Sequence, residues 1–134
     1  MHMLEHYLNN LKLPTFLKSY KEVAEQCKVK GSDYSDFLLR LSEMEVLSRN
    51  SRMVQQKIKQ ANFPVLKTLD GFDFKAIPGL DQRRVVELAT CEYVTNKSNV
   101  IAVGNSGTGK THISIALGMA ACQKGISTLF TTAA

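Results

Sequence analysis

The chain has 134 residues, 44% of them apolar and 22% charged, and its 17 lysines and arginines against 12 acids give a formal charge of +5. That length holds one ordinary domain, or a small helical unit plus part of a second, and the near-average composition excludes wholesale disorder. No apolar run approaches the roughly 18 to 20 residues that span a bilayer, and the opening MHMLEHYLNN lacks a basic flank before an apolar stretch, so a soluble, cytoplasmic protein with no membrane partner is expected. The charge excess is mild and fits a solvated surface as well as a polyanionic partner. Cys27, Cys91 and Cys122 are odd in number and lack C-x-x-C spacing, which points to reduced, mostly buried thiols.

From Leu4 to about Ala61 apolar residues recur with helical period. Leu4, Leu8 and Leu11 share one face; after a break at Pro14, Phe16, Tyr20, Val23, Ala24 and Cys27 share another. Gly31 and Ser32 punctuate, and Asp33 is placed to cap a third helix carrying Tyr34, Phe37, Leu38, Leu41 and Met44. A fourth helix is expected to begin near Ser48 to Ser51, with Val54, Ile58 and Ala61 on its apolar side. Helical period is lost at Asn62-Phe63-Pro64, which sets expected domains of 1–62 and 63–134. Beyond it, Leu66, Leu69, Phe72 and Phe74 surround an Asp70-Gly71 turn signal, and Asp81 could cap a helix through Val85, Val86 and Leu88. Asn99-Val100-Ile101-Ala102-Val103 reads as a short buried strand, followed by a glycine-rich turn and a helix through Ile113, Ile115, Ala116, Met119 and Ala120. Gly125 is placed to stop that helix, and residues 126–131, rich in β-branched side chains, read as the next strand. The expected fold class is therefore α/β: a helical N-terminal domain followed by one βαβ unit.

Gly104-Asn105-Ser106-Gly107-Thr108-Gly109-Lys110-Thr111 matches G-x-x-x-x-G-K-[ST] at every required position. Each residue type has a physical task in a P-loop. The glycines allow positive φ and close backbone approach, so that successive N–H groups form an anion-binding nest at a helix N-terminus. Lys110, the catalytic candidate, would reach the β- and γ-phosphates, and Thr111 would offer its hydroxyl to Mg²⁺. Hydrolysis needs in addition an acidic residue on a later strand, and after Thr111 the sequence has neither Asp nor Glu. The expectation is a chain cut after its first βαβ unit, with binding well supplied and turnover left open.

Two weaker signals remain. Between Arg49 and Lys59 there are four cations and no acid, and Arg49, Arg52, Gln56 and Lys59 are spaced to share a face opposite Val54 and Ile58. Sequence-independent contact with DNA phosphates and an ordinary solvated basic face both fit this pattern. His2-Met3-Leu4-Glu5-His6 formally matches the zinc motif H-x-x-E-H, but it sits at a chain end and no third ligand is evident, so we read it as accidental.

The helical N-terminus, the segment Leu66-Lys67-Thr68-Leu69-Asp70-Gly71-Phe72-Asp73-Phe74, the stretch Gly104 to His112 and the ending Thr128-Leu129-Phe130-Thr131-Thr132-Ala133-Ala134 together resemble the IstB-like ATP-binding proteins. These are AAA+ helpers of insertion-sequence transposition, similar to the DnaC-type helicase loaders. The resemblance covers essentially the whole chain but about the first half of a typical member. It implies an ATPase with ATP and Mg²⁺ as cofactors, acting as a homo-oligomer on double-stranded DNA without sequence preference and assisting a transposase. It implies a phosphate site at Gly104 to Thr111, with His112 in the family's usual place and Phe72 to Phe74 leading to the nucleotide pocket. Asn105-Ser106 departs from the commoner Pro-Pro, and the family's acidic strand, sensor and arginine finger have no counterpart here. A helicase loader and a non-hydrolysing nucleotide-binding module stay open as alternatives.

Overall fold

The structure, a computed structural model, describes residues 2–133. The chain divides into two compact units, Met1–Arg52 and Met53–Ala134. The described residues form six α-helices: α1 (His2–Asn10), α2 (Pro14–Lys30), α3 (Tyr34–Ala61), α4 (Gln82–Leu88), α5 (Glu92–Thr95) and α6 (Lys110–Gln123), with 3-10 turns at Leu69–Gly71 and Phe74–Ala76.

In the first unit the helices start and stop where local chemistry directs. Gly31 takes a left-handed φ of 67°, and the Ser32 and Gly31 N–H groups close back onto Cys27 O and Lys28 O, which satisfies two of the last four carbonyls of α2. Lys12 adopts the same conformation at φ 58° and ends α1 by the same pair of bonds, Leu13 N–H to Leu8 O and Lys12 N–H to Asn9 O. Pro14 then opens α2, where its missing N–H costs nothing. Asp33 Oδ1 accepts from Asp36 N–H at 2.8 Å and caps α3. Val23, Cys27 and Leu41 form the core, with Phe16, Tyr20 and Phe37 packed against it.

A buried carboxylate joins these helices. Glu45, 3% exposed, accepts the Thr15 N–H through Oε2 at 3.1 Å and so caps the first turn of α2 from the side of α3. Its Oε1 is 3.5 Å from the Arg49 guanidinium, an ion pair without hydrogen-bond geometry. Arg49 in turn donates to Lys12 O at 2.6 Å. One acid and one base one helical turn apart thus hold both sides of the α1–α2 turn.

A separate fourth helix is not formed, because α3 runs unbroken for 28 residues. Ser48, Asn50 and Ser51 can cap a helix but do not break one, and neither Gly nor Pro occurs between Tyr34 and Ala61.

The α/β expectation is corrected outright: the described residues contain helices and 3-10 turns but no strand and no sheet, so there is no βαβ unit. A β-strand exists only by pairing its main chain with a neighbour. Residues 126–131 instead lie along the end of α3, with Phe130 N–H bonded to Ala61 O at 2.8 Å and Lys57 Nζ to Ser127 Oγ at 2.8 Å. Residues 99–103, expected to be buried, leave Ile101 83% and Val103 90% exposed. Apolar, β-branched composition was present in both segments; a neighbouring strand to pair with was not.

Replacing Glu45 by alanine strands the Thr15 N–H and unpairs Arg49, so stability should fall by about 1–3 kcal/mol. Glu45→Gln, which keeps an acceptor, should lose less. Urea unfolding followed by circular dichroism reads both, and an unchanged midpoint for alanine would remove the clamp.

Candidate functional site

The second unit is organised around α6, whose Ile115, Ala116, Leu117, Ala121 and Cys122 are buried. Gly118 lies where a Cβ would come within 2.8 Å of the Phe63 ring, so its lack of a side chain lets that aromatic seat against the helix. At the far end, Gly125 N–H bonds Cys122 O and Ile126 N–H bonds Ala121 O, and Gly125 at φ 77° is the left-handed stop. Asp81 caps α4 by accepting the Arg83 N–H. Cys27, Cys91 and Cys122 are all buried free thiols, and burial pushes the Cys91 thiol above its ordinary pKa.

Residues 104–109 lead into α6. Gly107 and Gly109 take φ of 77° and 86°, conformations that L side chains rarely adopt. Thr108 Oγ1 donates to Asn105 O at 2.7 Å and closes the segment on itself. A Cβ on Gly104 would lie 3.0 Å from that same hydroxyl. The Lys110 ammonium folds back over the segment, donating to Gly104 O and to Asn105 O at 2.7 Å. Both of these partners are neutral carbonyls; neither is a carboxylate.

The first turn of α6 has neither a side-chain cap nor a counter-charge of its own. Its N-cap is Gly109, with no side-chain cap, and no acid occurs in the turn. The first intrahelical bond runs from Ile113 N–H to Gly109 O at 3.0 Å, so the N–H groups of Lys110, Thr111 and His112 have no intrahelical acceptor. Thr111 is exposed beside them. The geometry therefore gathers orphan N–H donors, a primary ammonium, a hydroxyl and the positive end of a helix dipole at one place.

What periodicity and motif matching missed is how this segment is held. Phe72, 37 positions earlier, sets its ring against Gly109, where a Cβ would stand 2.6 and 2.9 Å from two ring carbons. His112 Nε2 lies 2.9 Å from Thr68 O. The family resemblance had already set Phe72 to Phe74 on the way to the nucleotide pocket; the signal for the contact itself was the required glycine at 109, since such a residue marks close approach as well as positive φ.

The basic candidates fall differently. Arg49 is half-exposed, and its guanidinium is engaged by Lys12 O and Glu45. Arg52 is exposed and borders, with Asn9, Lys12, Pro14 and Arg49, a shallow depression of the first unit. Lys59 is exposed in the second unit. Among the described residues no cluster of three His, Cys, Asp or Glu side chains could hold a metal ion.

Compared with known families, residues 6–134 match the IstB-like ATP binding proteins. This chain belongs to that family. It is 38% identical over 130 residues to an insertion-sequence IS5376 protein of Geobacillus stearothermophilus, covering 97% of the IstB-like chain and 52% of the relative. It is 39% identical over 130 residues to the IS21 protein of Pseudomonas aeruginosa, covering 97% and 49% respectively. An IS21-like protein of Bacteroides fragilis is 34% identical over 108 residues, 81% of this chain and 54% of its own. All three relatives are named for ATP binding. The IstB-like chain spans about half the length of the curated relatives it matches.

The two glycines with positive φ predict an order of damage. Gly107→Ala meets nothing within 4 Å and should cost about 1–2 kcal/mol for its conformation alone. Gly109→Ala adds the Phe72 clash and should cost about 1–3 kcal/mol more. Thermal unfolding of the two variants reads the order, and its reversal would show that Phe72 does not bear on Gly109.

Proposed function

We propose that residues 104–111 of this IstB-like chain form a P-loop that holds the triphosphate of ATP, and that the chain serves as an ATP-binding helper of DNA transposition. The observation that carries the phosphate site is the uncapped first turn of α6 beside Lys110, whose ammonium rests on two neutral carbonyls. Orphan N–H groups at a helix start favour an anion, and an ammonium held only by carbonyls can exchange them for charged phosphate oxygens. Gly104, Asn105, Ser106, Gly107, Thr108 and Gly109 would contribute backbone, Lys110 charge, and Thr111 and His112 the first helical N–H groups. With no cluster of three ligating side chains among the described residues, Mg²⁺ would arrive with the nucleotide and take one protein oxygen, that of Thr111. When bound, it would share the neutralisation of the triphosphate charge with Lys110.

The transposase partner is supported by the relatives, which are named as insertion-sequence proteins. Double-stranded DNA is supported by the +5 charge and by exposed Arg52 and Lys59. A homo-oligomer is supported by bare apolar side chains such as Ile101 and Val103. No helix among the described residues is long and apolar enough to cross a membrane, which suits action in the cytoplasm.

Titration of the protein with a fluorescent ATP analogue and Mg²⁺ tests the phosphate site. Lys110→Ala should weaken binding roughly ten- to hundredfold, the worth of a charged hydrogen-bonding group. Equal affinity would sink the assignment.

For DNA, affinity should fall steeply with salt, and Arg52→Ala with Lys59→Ala should flatten the slope of log K against log salt by about 1.8 if each cation meets one phosphate. The same samples in an analytical ultracentrifuge read the oligomer. A slope unchanged by the double substitution counts against these two contacts, and a monomer in the presence of ATP and duplex counts against assembly.

A further inference from the structure

Between the turn Leu69–Gly71 and α6 lies a set of contacts that phosphate binding does not itself require. A carbonyl only accepts hydrogen bonds, so in the 2.9 Å approach of His112 Nε2 to Thr68 O it is Nε2 that donates. The imidazole stands at 90° to the Phe72 ring with centroids 5.0 Å apart, and Phe72 meets Phe74 edge-on at 4.8 Å. The Phe72 ring also fills the space over Gly109. Residues 68–74 therefore touch the start of α6 twice, by packing at its N-cap and by a directional bond at its third residue.

The backbone and side chain of His112 face different tasks. Its N–H belongs to the orphan donors of the first turn, while its ring is tied to Thr68 O. Any adjustment of that turn toward a bound anion moves the ring, and the ring carries the 3-10 segment with it. Resting on the phosphate site proposed above, we infer that His112 is a positioning residue that couples occupancy of residues 104–111 to the ordering of residues 68–77. The coupling is reciprocal: whatever grips 68–77 changes affinity at the phosphate site by the same factor.

Amide hydrogen exchange on the full chain, with and without saturating Mg²⁺-ATP, tests this at Phe72, Ala76 and Ile77, whose N–H groups close the two turns by bonding Leu69 O, Asp73 O and Phe74 O. In the wild-type chain nucleotide should raise their protection about fivefold or more, the lower range of a typical coupling. His112→Phe keeps a ring against Phe72 but has no donor for Thr68 O. It should abolish the rise at saturation and weaken nucleotide binding by a comparable factor. His112→Gln retains an N–H donor and should recover part of both. A His112→Phe chain with the wild-type rise overturns the inference, as does one whose protection falls equally with and without nucleotide, since that is the mark of a simple prop. Wild-type chain that binds nucleotide with no change at these amides removes the coupling alone. Failure of wild-type chain to bind nucleotide removes the phosphate site and the coupling together.

Discussion

The contact on which the second unit turns is an aromatic ring laid over a missing side chain. Phe72 occupies the volume that a Cβ on Gly109 would need, and Gly109 is both left-handed and the N-cap of α6. A helix start is normally fixed by a capping side chain that consumes one of its free donors. Here the start is fixed from outside by packing, so the donors stay unspent. Position and availability are thus separated: hydrocarbon determines where the turn lies, and its polar groups remain for a ligand.

The first unit solves its own junction in the opposite way, with polar groups committed to each other. Glu45 caps α2 and faces Arg49, which holds the carbonyl of the left-handed Lys12. A non-glycine residue in that conformation costs about 1–2 kcal/mol, and the charged bond to its carbonyl works against that cost. Arg49 is therefore part of the scaffold as well as of the basic surface, and a phosphate contact at this position would compete with the turn. Arg52 and Lys59 carry no such commitment in the described residues, which makes them the cleaner probes of a polyanionic partner.

Local chemistry was legible in the sequence and non-local chemistry was not. Asp33, Asp81, Gly31 and Gly125 act within a few residues of themselves, and each does in the structure what its type directs. The helical period also placed Val23 and Cys27 in a core. Serines at 48 and 51 were over-read, because a residue able to cap a helix is equally able to sit inside one that nothing interrupts. The two expected strands failed for a different reason: β-branched composition describes a side-chain preference, whereas a strand is a pairing, and residues 126–131 found their bonds on α3 instead. Of the candidate site, the glycines and Lys110 stood out by spacing. Phe72, Thr68 and the role of Gly118 in seating Phe63 depend on neighbours tens of residues away and left no periodic trace.

The folded-back ammonium of Lys110 gives the segment a threshold. Because Nζ already rests on Gly104 O and Asn105 O, a ligand gains from it only the difference between its own oxygens and those two carbonyls. A singly charged, weakly basic anion offers little more than the carbonyls do, while a polyphosphate brings several charged oxygens to the same point. At the proposed phosphate site the lysine would thus act as an internal competitor, setting a minimum charge density below which a visitor is not worth the exchange.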